Sequence, residues 1–386
     1  MKKLAFIKKS FSVHGGAEMY LQTLIGYLKK TGHEIHILAN RWSDEEGIIF
    51  HKVPVLHLGS FLNTVTFNRN VNLKLKAQGS KLKEYDCAIS FERTTCQDIY
   101  RAGEGCHIEW LKRRETIDPF WKKFTFRINP LHITLLNLEK KIFRDTGLII
   151  ANSNMVKSHI VKHYGVPEDR IRVIYNGVDL RRFSPHNREI WRDKIRKGLS
   201  IPEDAKVILF VGSGFERKGL KILLRAVSVL NSSLVSRPSS LRLLIIGKGN
   251  IKKFKSIAEG YGVKANVDFL GTQREIEGFY AVADLFVLPT IYDPFSNATL
   301  EAMASGLPVI TTIYNGVSEL IENNVEGFIL KDVLNSDELS EKIRVALINS
   351  ITMGNSARQK AENFSIENAA RKFLEVINET TQHLTH

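Results

Sequence analysis

The feature that most limits what this chain can fold into is the alternation, through its second half, of short apolar runs with amphipathic stretches of helical period. Runs at 206–213, 241–247, 266–271, 284–289 and 308–312 read as strands, and 220–230, 276–283 and 298–305 read as helices. Strands that alternate with helices imply a parallel, doubly wound sheet. The start of the chain holds the same unit: a strand at 4–9, a loop at 10–16, a helix at 17–30 stopped by Gly32, and a strand at 33–40. The polar, basic stretch 179–201 separates the two series and is expected to contain the linker. The domains expected are 1–178, 179–360, and a final helix in 361–386 that packs back toward the first domain. Ligands of such sheets sit beyond the carboxyl ends of the strands, and two such sheets face each other across a cleft. Function is therefore sought in the strand-to-helix loops.

Composition narrows the class. At 386 residues, 43% hydrophobic and 25% charged, the chain has enough apolar content for two full cores and is not a disordered protein. The apolar run at 4–7 is too short for a secretory signal and no later window reaches a membrane-spanning length, so a cytosolic protein is expected. Cys87, Cys96 and Cys106 are odd in number and lack C-x-x-C spacing, which reads as reduced thiols rather than a disulfide framework or zinc site. Positive charge is concentrated early: residues 1–178 hold 28 Lys+Arg against 17 Asp+Glu, so this half is expected to face something anionic.

From 290 to 305 the chain reads T-I-Y-D-P-F-S-N-A-T-L-E-A-M-A-S, a strand exit, a short loop and an apolar helix. The first turn of such a helix leaves backbone N–H groups unpaired, and those around Ser296, Asn297 and Ala298 are placed to hold phosphate. Glu301 lies one turn inside, among Leu300, Ala302, Met303 and Ala304, where a carboxylate is costly unless it accepts hydrogen bonds such as those of ribose hydroxyls. The alternative is a solvated carboxylate that complements the helix dipole. Asp293, seven residues, Glu301 and then A-M-A-S-G-L-P-V-I resemble the Glu-x7-Glu motif of glycosyltransferase family 4, with Asp293 for the first Glu. That resemblance implies the GT-B fold, two Rossmann-like doubly wound domains facing across a cleft, and transfer with retention of configuration. It also implies that Asp293 lies by the donor sugar as a catalytic residue and that Glu301 binds the ribose. A turn residue before Pro294 is the other reading of Asp293.

Three further loops extend the resemblance. In V-G-S-G-F-E-R-K-G (211–219), Arg217 and Lys218 leave a strand where cations neutralise a diphosphate; the Arg usual in the family is Ser213 here, and Arg217 beside Lys218 resembles the lipopolysaccharide core glucosyltransferase I branch. A lone Lys-Gly would be a solvated helix start; the sequence context favours phosphate contact for Lys218, with Arg217 open between the two readings. In F-S-V-H-G-G-A-E (11–18), Gly15 and Gly16 look like the family's diphosphate loop in the first domain, although any tight turn uses such a pair. In Y-R-A-G-E-G-C-H-I-E-W-L (100–111), Glu104 and His107 match the stretch that carries the acidic or His group near the reacting sugar, against a solvated polar loop. The segment I-Y-N-G-V-D-L-R-R-F (174–183) resembles the family's N-G-V-D junction, where Arg182 reaches the donor phosphates or stays solvated. No acidic metal-binding motif is present, and no metal or cofactor is expected beyond the sugar-nucleotide donor.

Residues 111–144 hold nine Lys/Arg against three Asp/Glu, interleaved with Phe120, Trp121, Phe124, Phe126 and Phe143. This composition suits an anionic membrane surface; the alternative is core aromatics with solvated cations, and nucleic acid is not the expected partner. The combined expectation is a metal-independent hexosyltransferase that uses a UDP-sugar, UDP-glucose first, on a lipid-linked saccharide such as the lipopolysaccharide inner core. It is expected in the cytoplasm, peripheral on the inner face of the cell membrane. The rivals are a nucleotide-sugar epimerase of the same fold and a catalytically silent UDP-sugar or membrane-binding protein.

Overall fold

The computed structural model describes residues 1–10, 16–42, 46–76, 84–118, 126, 128–233 and 241–384. The chain forms two units, Met1–Gly177 with Ile366–His386, and Val178–Ser365.

In the first unit the described strands are β1 (Lys3–Ile7), β2 (Glu34–Ala39), β3 (Ile48–Lys52), β4 (Cys87–Ser90), β5 (Ile99–Ala102), β6 (Leu148–Ala151) and β7 (Ile171–Val173). They form one parallel sheet in the order β3-β2-β1-β4-β5-β6-β7. Successive side chains of a strand point to opposite faces, and β1 shows this directly. Leu4 and Phe6 join one core with Leu21, Leu24 and Leu28 of helix Gly16–Lys29, while Ala5 and Ile7 join another with Phe67 and Val71 of helix Gly59–Lys76. The C-terminal helix Ile366–Leu384 belongs to the first of these cores: Ala370, Phe373 and Ile377 are fully buried there, and Phe373 stacks on Phe91 with ring centres 5.9 Å apart.

The second unit repeats the plan with β8 (Lys206–Val211), β9 (Leu241–Ile246), β10 (Val267–Gly271), β11 (Leu285–Val287), β12 (Val309–Thr312) and β13 (Gly327–Leu330), parallel in the order β10-β9-β8-β11-β12-β13. Strand order therefore reverses between β1 and β4 in one unit and between β8 and β11 in the other. Crevices open at such switch points, beyond the carboxyl ends of the strands.

The stretch 179–201 contains helix Asn187–Gly198, packed on helix Ile276–Val282 of the second unit. A Cβ on Gly278 would lie 2.9 Å from the Ile195 side chain and 3.0 Å from Trp191. Arginines of this stretch close the end of the neighbouring helix: Arg188 donates to the Ala283 carbonyl at 2.7 Å and Arg192 to that of Val282 at 3.1 Å. Helix-terminal carbonyls lack intrahelical donors, and long cationic side chains satisfy them.

Candidate active site

At the switch point of the second unit, the turn after β8 lies against the turn after β9. Gly212 donates to the Ile246 carbonyl at 2.9 Å and Gly214 to that of Lys248 at 2.8 Å. The two backbones pass so closely that a Cβ on Gly247 would stand 2.2 Å from the Gly212 oxygen. The chain then brings Arg217 and Lys218 to the exit of β11. Gly219, at φ +76°, permits this, because a Cβ there would fall 1.9 Å from the Pro289 oxygen. The Arg217 carbonyl accepts from the Ile291 N–H at 2.9 Å and the Thr290 hydroxyl at 3.1 Å, and its guanidinium donates to the Tyr292 carbonyl at 3.2 Å.

Lys218 and Asp293 meet as a buried ion pair, Nζ to Oδ2. Burial opposes both charges; Lys218 and then Arg217 hold the Asp293 carboxyl below its ordinary value. Asp293 is itself pinned through its backbone, donating to the Tyr314 carbonyl and accepting from the Gly316 N–H, each at 2.9 Å. Asn315, wholly buried, ties this corner to the neighbouring helix: its Oδ1 accepts from Ser296 N–H at 3.1 Å and Val317 N–H at 3.4 Å, and its Nδ2 donates to Thr311 at 2.9 Å. Ser296 caps helix Asn297–Ala304 by accepting from Thr299 N–H at 3.3 Å. A cation pair and a helix N-terminus are thus fixed within one turn system.

Glu301 lies on the same helix, where burial raises its carboxyl and a hydrogen bond from Tyr280 restrains the rise. The Tyr280 hydroxyl is 2.8 Å from Glu301 Oε2 and 3.1 Å from the Ala298 carbonyl. That bond occupies one carboxylate oxygen; among the described residues no donor reaches the other. Arg182 is engaged by Glu277 through Nε and Nη2, at 3.1 and 2.9 Å, and by the Arg274 carbonyl at 3.3 Å. Its charge lowers the Glu301 carboxyl from nearby.

In the first unit a cavity of about 200 Å³ opens beyond the carboxyl ends of β1, β4 and β5. Lys9, Glu92, Arg93 and Glu104 form its polar side. Arg93 donates through Nε to Glu139 Oε1 at 3.0 Å and through Nη1 to Glu104. Desolvation opposes the Glu104 charge, but Arg93 and Lys8 prevail and hold its carboxyl down at about 2. With about half of its side chain open to solvent (52%), Glu104 stands as a carboxylate on the cavity wall. Glu139 is entirely buried and accepts from the His107 N–H with both oxygens, at 2.8 and 3.0 Å, and from the Tyr164 hydroxyl. It thereby caps helix His107–Ile117 and fixes the guanidinium that holds Glu104.

His107 does not line this cavity. Its Nε2 is 3.0 Å from His132 Nδ1, and burial, then Arg93 and His132, push the ring down to about 3, so it is neutral at physiological pH. Glu109 faces elsewhere, accepting from Arg113 at 3.0 Å and meeting His163 Nε2 at 2.8 Å. Gly16 opens helix Gly16–Lys29, and Gly15 lies outside the described residues. Of the basic aromatic segment, Phe126 and Phe143 are buried, Phe143 in the core of helix Pro130–Asp145 where period 3.6 turns it inward with Glu139 and Ile142; those two are not surface aromatics. Phe120, Trp121, Phe124, Lys122 and Lys123 lie outside the described residues. Reading the sequence missed Arg93, Glu139, Tyr280 and Asn315. Glu139 alone left a signal, an acid in the inward register of L-N-L-E-K-K-I-F.

The family model "Glycosyltransferase Family 4" matches residues 14–182 and "Glycosyl transferases group 1" matches residues 192–369. The lipopolysaccharide glucosyltransferase WaaG of Escherichia coli K12 is 25% identical, over 97% of this chain and 98% of WaaG. The crystal structure of WaaG superposes with a TM-score of 0.82 at 22% identity, covering 97% of this chain and 99% of that one. Anabaena Alr3699/HepE, crystallised with UDP and glucose, gives a TM-score of 0.72 at 20% identity, covering 98% of this chain and 100% of HepE.

Two neutral histidines, His107 buried and His159 partly buried, give acid sensitivity a sign. Burial also pushes His159 down to about 4, with Glu109 opposing. The unfolded chain takes up these protons near pH 6.5 while the folded chain does not until pH 3–4, so stability is lost as pH falls below about 6.5. Thermal melts from pH 7 to 4.5 are expected to show a falling midpoint, and His107→Gln with His159→Gln a shallower fall; an unchanged slope would contradict the assignment.

Proposed function

Since this chain belongs to the family 4 glycosyltransferases, with a second half of the group 1 type, we propose that it moves a hexosyl unit from a UDP-sugar, UDP-glucose first, to a lipid-linked saccharide. An acceptor of the lipopolysaccharide inner-core kind is supported by the similarity to WaaG along nearly the full length of both chains. The choice of UDP is supported by HepE, a relative in fold that binds UDP and glucose. The observation that carries the reading is the corner of the second unit where the Lys218–Asp293 pair, Arg217 and the Ser296-capped helix meet.

In this mechanism the second unit holds the nucleotide. As the glycosyl bond breaks, negative charge grows on the diphosphate, and Lys218, Arg217 and the backbone N–H groups of Ser296, Asn297 and Ala298 stabilise it without rearranging. No metal is assigned a part. The open Oε1 of Glu301 accepts from a ribose hydroxyl while Tyr280 holds Oε2. Asp293 stands by the donor sugar. The first unit receives the acceptor, with Glu104 accepting a hydrogen bond from its hydroxyl; a carboxyl held at about 2 is ionised at neutral pH and delivers no proton. Retention follows the family.

The protein is proposed to work in the cytoplasm against the inner face of the membrane. Among the described residues no helix is long and apolar enough to cross a membrane. Docking is assigned to segment 111–144, where Ile128 (76% exposed) and Ile133 stand at the surface together with Lys112, Lys140 and Lys141.

Turnover is tested by incubating the protein with UDP-glucose and inner-core glycolipid and measuring UDP release and sugar incorporation. Glu301→Ala is expected to weaken UDP binding roughly tenfold or more, since a charged hydrogen-bond acceptor contributes about 1.5–3 kcal/mol; unchanged affinity would remove the ribose role. Turnover of UDP-glucose without acceptor into an epimeric nucleotide sugar would favour an epimerase instead. Vesicles containing anionic lipid are expected to bind the wild type and to release the Lys140→Ala, Lys141→Ala variant at moderate salt, each cation contributing about 1 kcal/mol. Undiminished binding would place the docking surface elsewhere.

A further inference from the structure

The cavity beyond the carboxyl ends of β1 and β4 bears on which acceptors the enzyme takes, an inference that rests on the reading above that the first unit holds the acceptor. Its polar wall is electrically closed among the described residues. Lys8 pairs with Glu92 at 3.0 Å, and Arg93 is shared by the two carboxylates of Glu104 and Glu139. Among the described residues Lys9 forms no ion pair, but it lies near enough to Glu104 to lower that carboxyl, so its charge answers the second carboxylate on Arg93. Three cations thus face three carboxylates, and neither sign is in excess.

The rest of the lining is Phe67 from helix Gly59–Lys76, beside Ser60 and Thr64 of the same helix, and Leu131 and Leu135 from helix Pro130–Asp145. About 200 Å³ holds roughly a dozen non-hydrogen atoms at protein packing density, the content of one hexose. A hexopyranose offers hydroxyls that donate to Glu92 and Glu104 and accept from Lys9 and Arg93, and C–H faces that pack on Phe67 and the leucines.

We propose that this cavity takes one uncharged hexopyranose of the acceptor and discriminates against a sugar bearing phosphate or carboxylate. An added anion would meet Glu92 and Glu104 where cations and carboxylates are already equal in number, and a further negative charge beside those carboxylates is repelled with no excess positive charge to offset it. The selectivity is set by charge count, so it shifts when one charge is removed. Glu92→Gln leaves one cation in excess while an amide oxygen still accepts from the Lys9 N–H, which reaches Glu92 at 3.3 Å. Lys9→Met leaves one carboxylate in excess and breaks no ion pair among the described residues.

The test is saturation-transfer NMR on the full-length protein, with methyl α-D-glucopyranoside and methyl α-D-mannopyranoside as neutral probes and glucose 6-phosphate and methyl glucuronide as acidic ones, all with saturating UDP. Neutral glycosides are expected to bind in preference to acidic ones. Glu92→Gln is expected to move the ratio of their dissociation constants toward the acidic probes by roughly three- to tenfold, and Lys9→Met to move it the other way. Thr64→Trp, at the cavity wall, is expected to abolish both. Preference for the acidic probes in the wild type, ratios that ignore both charge variants, or binding that survives Thr64→Trp would overturn the proposal. Calorimetry of UDP in the same samples separates the two readings: UDP binding with the wrong sugar preference sinks the cavity's selectivity alone, whereas no UDP binding sinks the nucleotide reading on which it rests.

Discussion

An ammonium and a carboxylate buried against each other at the end of β8 and β11 are the contact on which the second unit's site depends. Removing either partner from such a pair leaves an uncompensated buried charge, at a cost of about 3–5 kcal/mol. The surroundings are built to keep the pair together. Gly219 lets the Lys218 turn touch the Pro289 carbonyl, and both backbone groups of Asp293 are bonded to the segment after β12. Asn315 then joins that segment to the Ser296 cap. The positive charge and the helix N-terminus are therefore placed by the same hydrogen bonds. A pair that shares its lysine with an incoming diphosphate gives a cation held in place before the ligand arrives, which is the condition for electrostatic stabilisation without reorganisation.

The first unit solves a similar problem with opposite sign. A carboxylate, Glu139, sits where no solvent reaches, and four donor contacts from three other parts of the chain converge on it. By fixing Arg93, it determines where Glu104 stands and that Glu104 stays ionised. A helix cap, a core packing position and the wall of a cavity are thereby coupled through one side chain.

Much of the fold was legible in the sequence because hydrophobic period is a local property. The apolar runs of the second half lie within a few residues of the observed strands, and the parallel, doubly wound sheets follow from their alternation with helices. The family was legible from Asp293, Glu301 and the loop ending at Gly219. Local composition leaves two features unread. The helix-end role of Arg188 and Arg192 is invisible in their own stretch because the carbonyls they close, at Ala283 and Val282, lie about ninety residues away. Phe143 looked like a surface aromatic because its basic neighbours share the helix but not the inward face. The pairings that build the candidate site, Lys218 with Asp293, Glu301 with Tyr280 and Arg93 with Glu139, join residues 75, 21 and 46 positions apart, and no spacing rule reveals them.

The central claim is that the second unit binds a uridine nucleotide through cations of the protein itself. Calorimetric titration of the wild type and of Lys218→Met with UDP, ADP and GDP, in EDTA throughout, tests it most directly. The account predicts UDP-selective binding by the wild type that persists in EDTA, and a loss of roughly tenfold or more in the variant, as expected for a charge-assisted contact. Absence of nucleotide binding, or UDP affinity that is equal in both proteins, would contradict it.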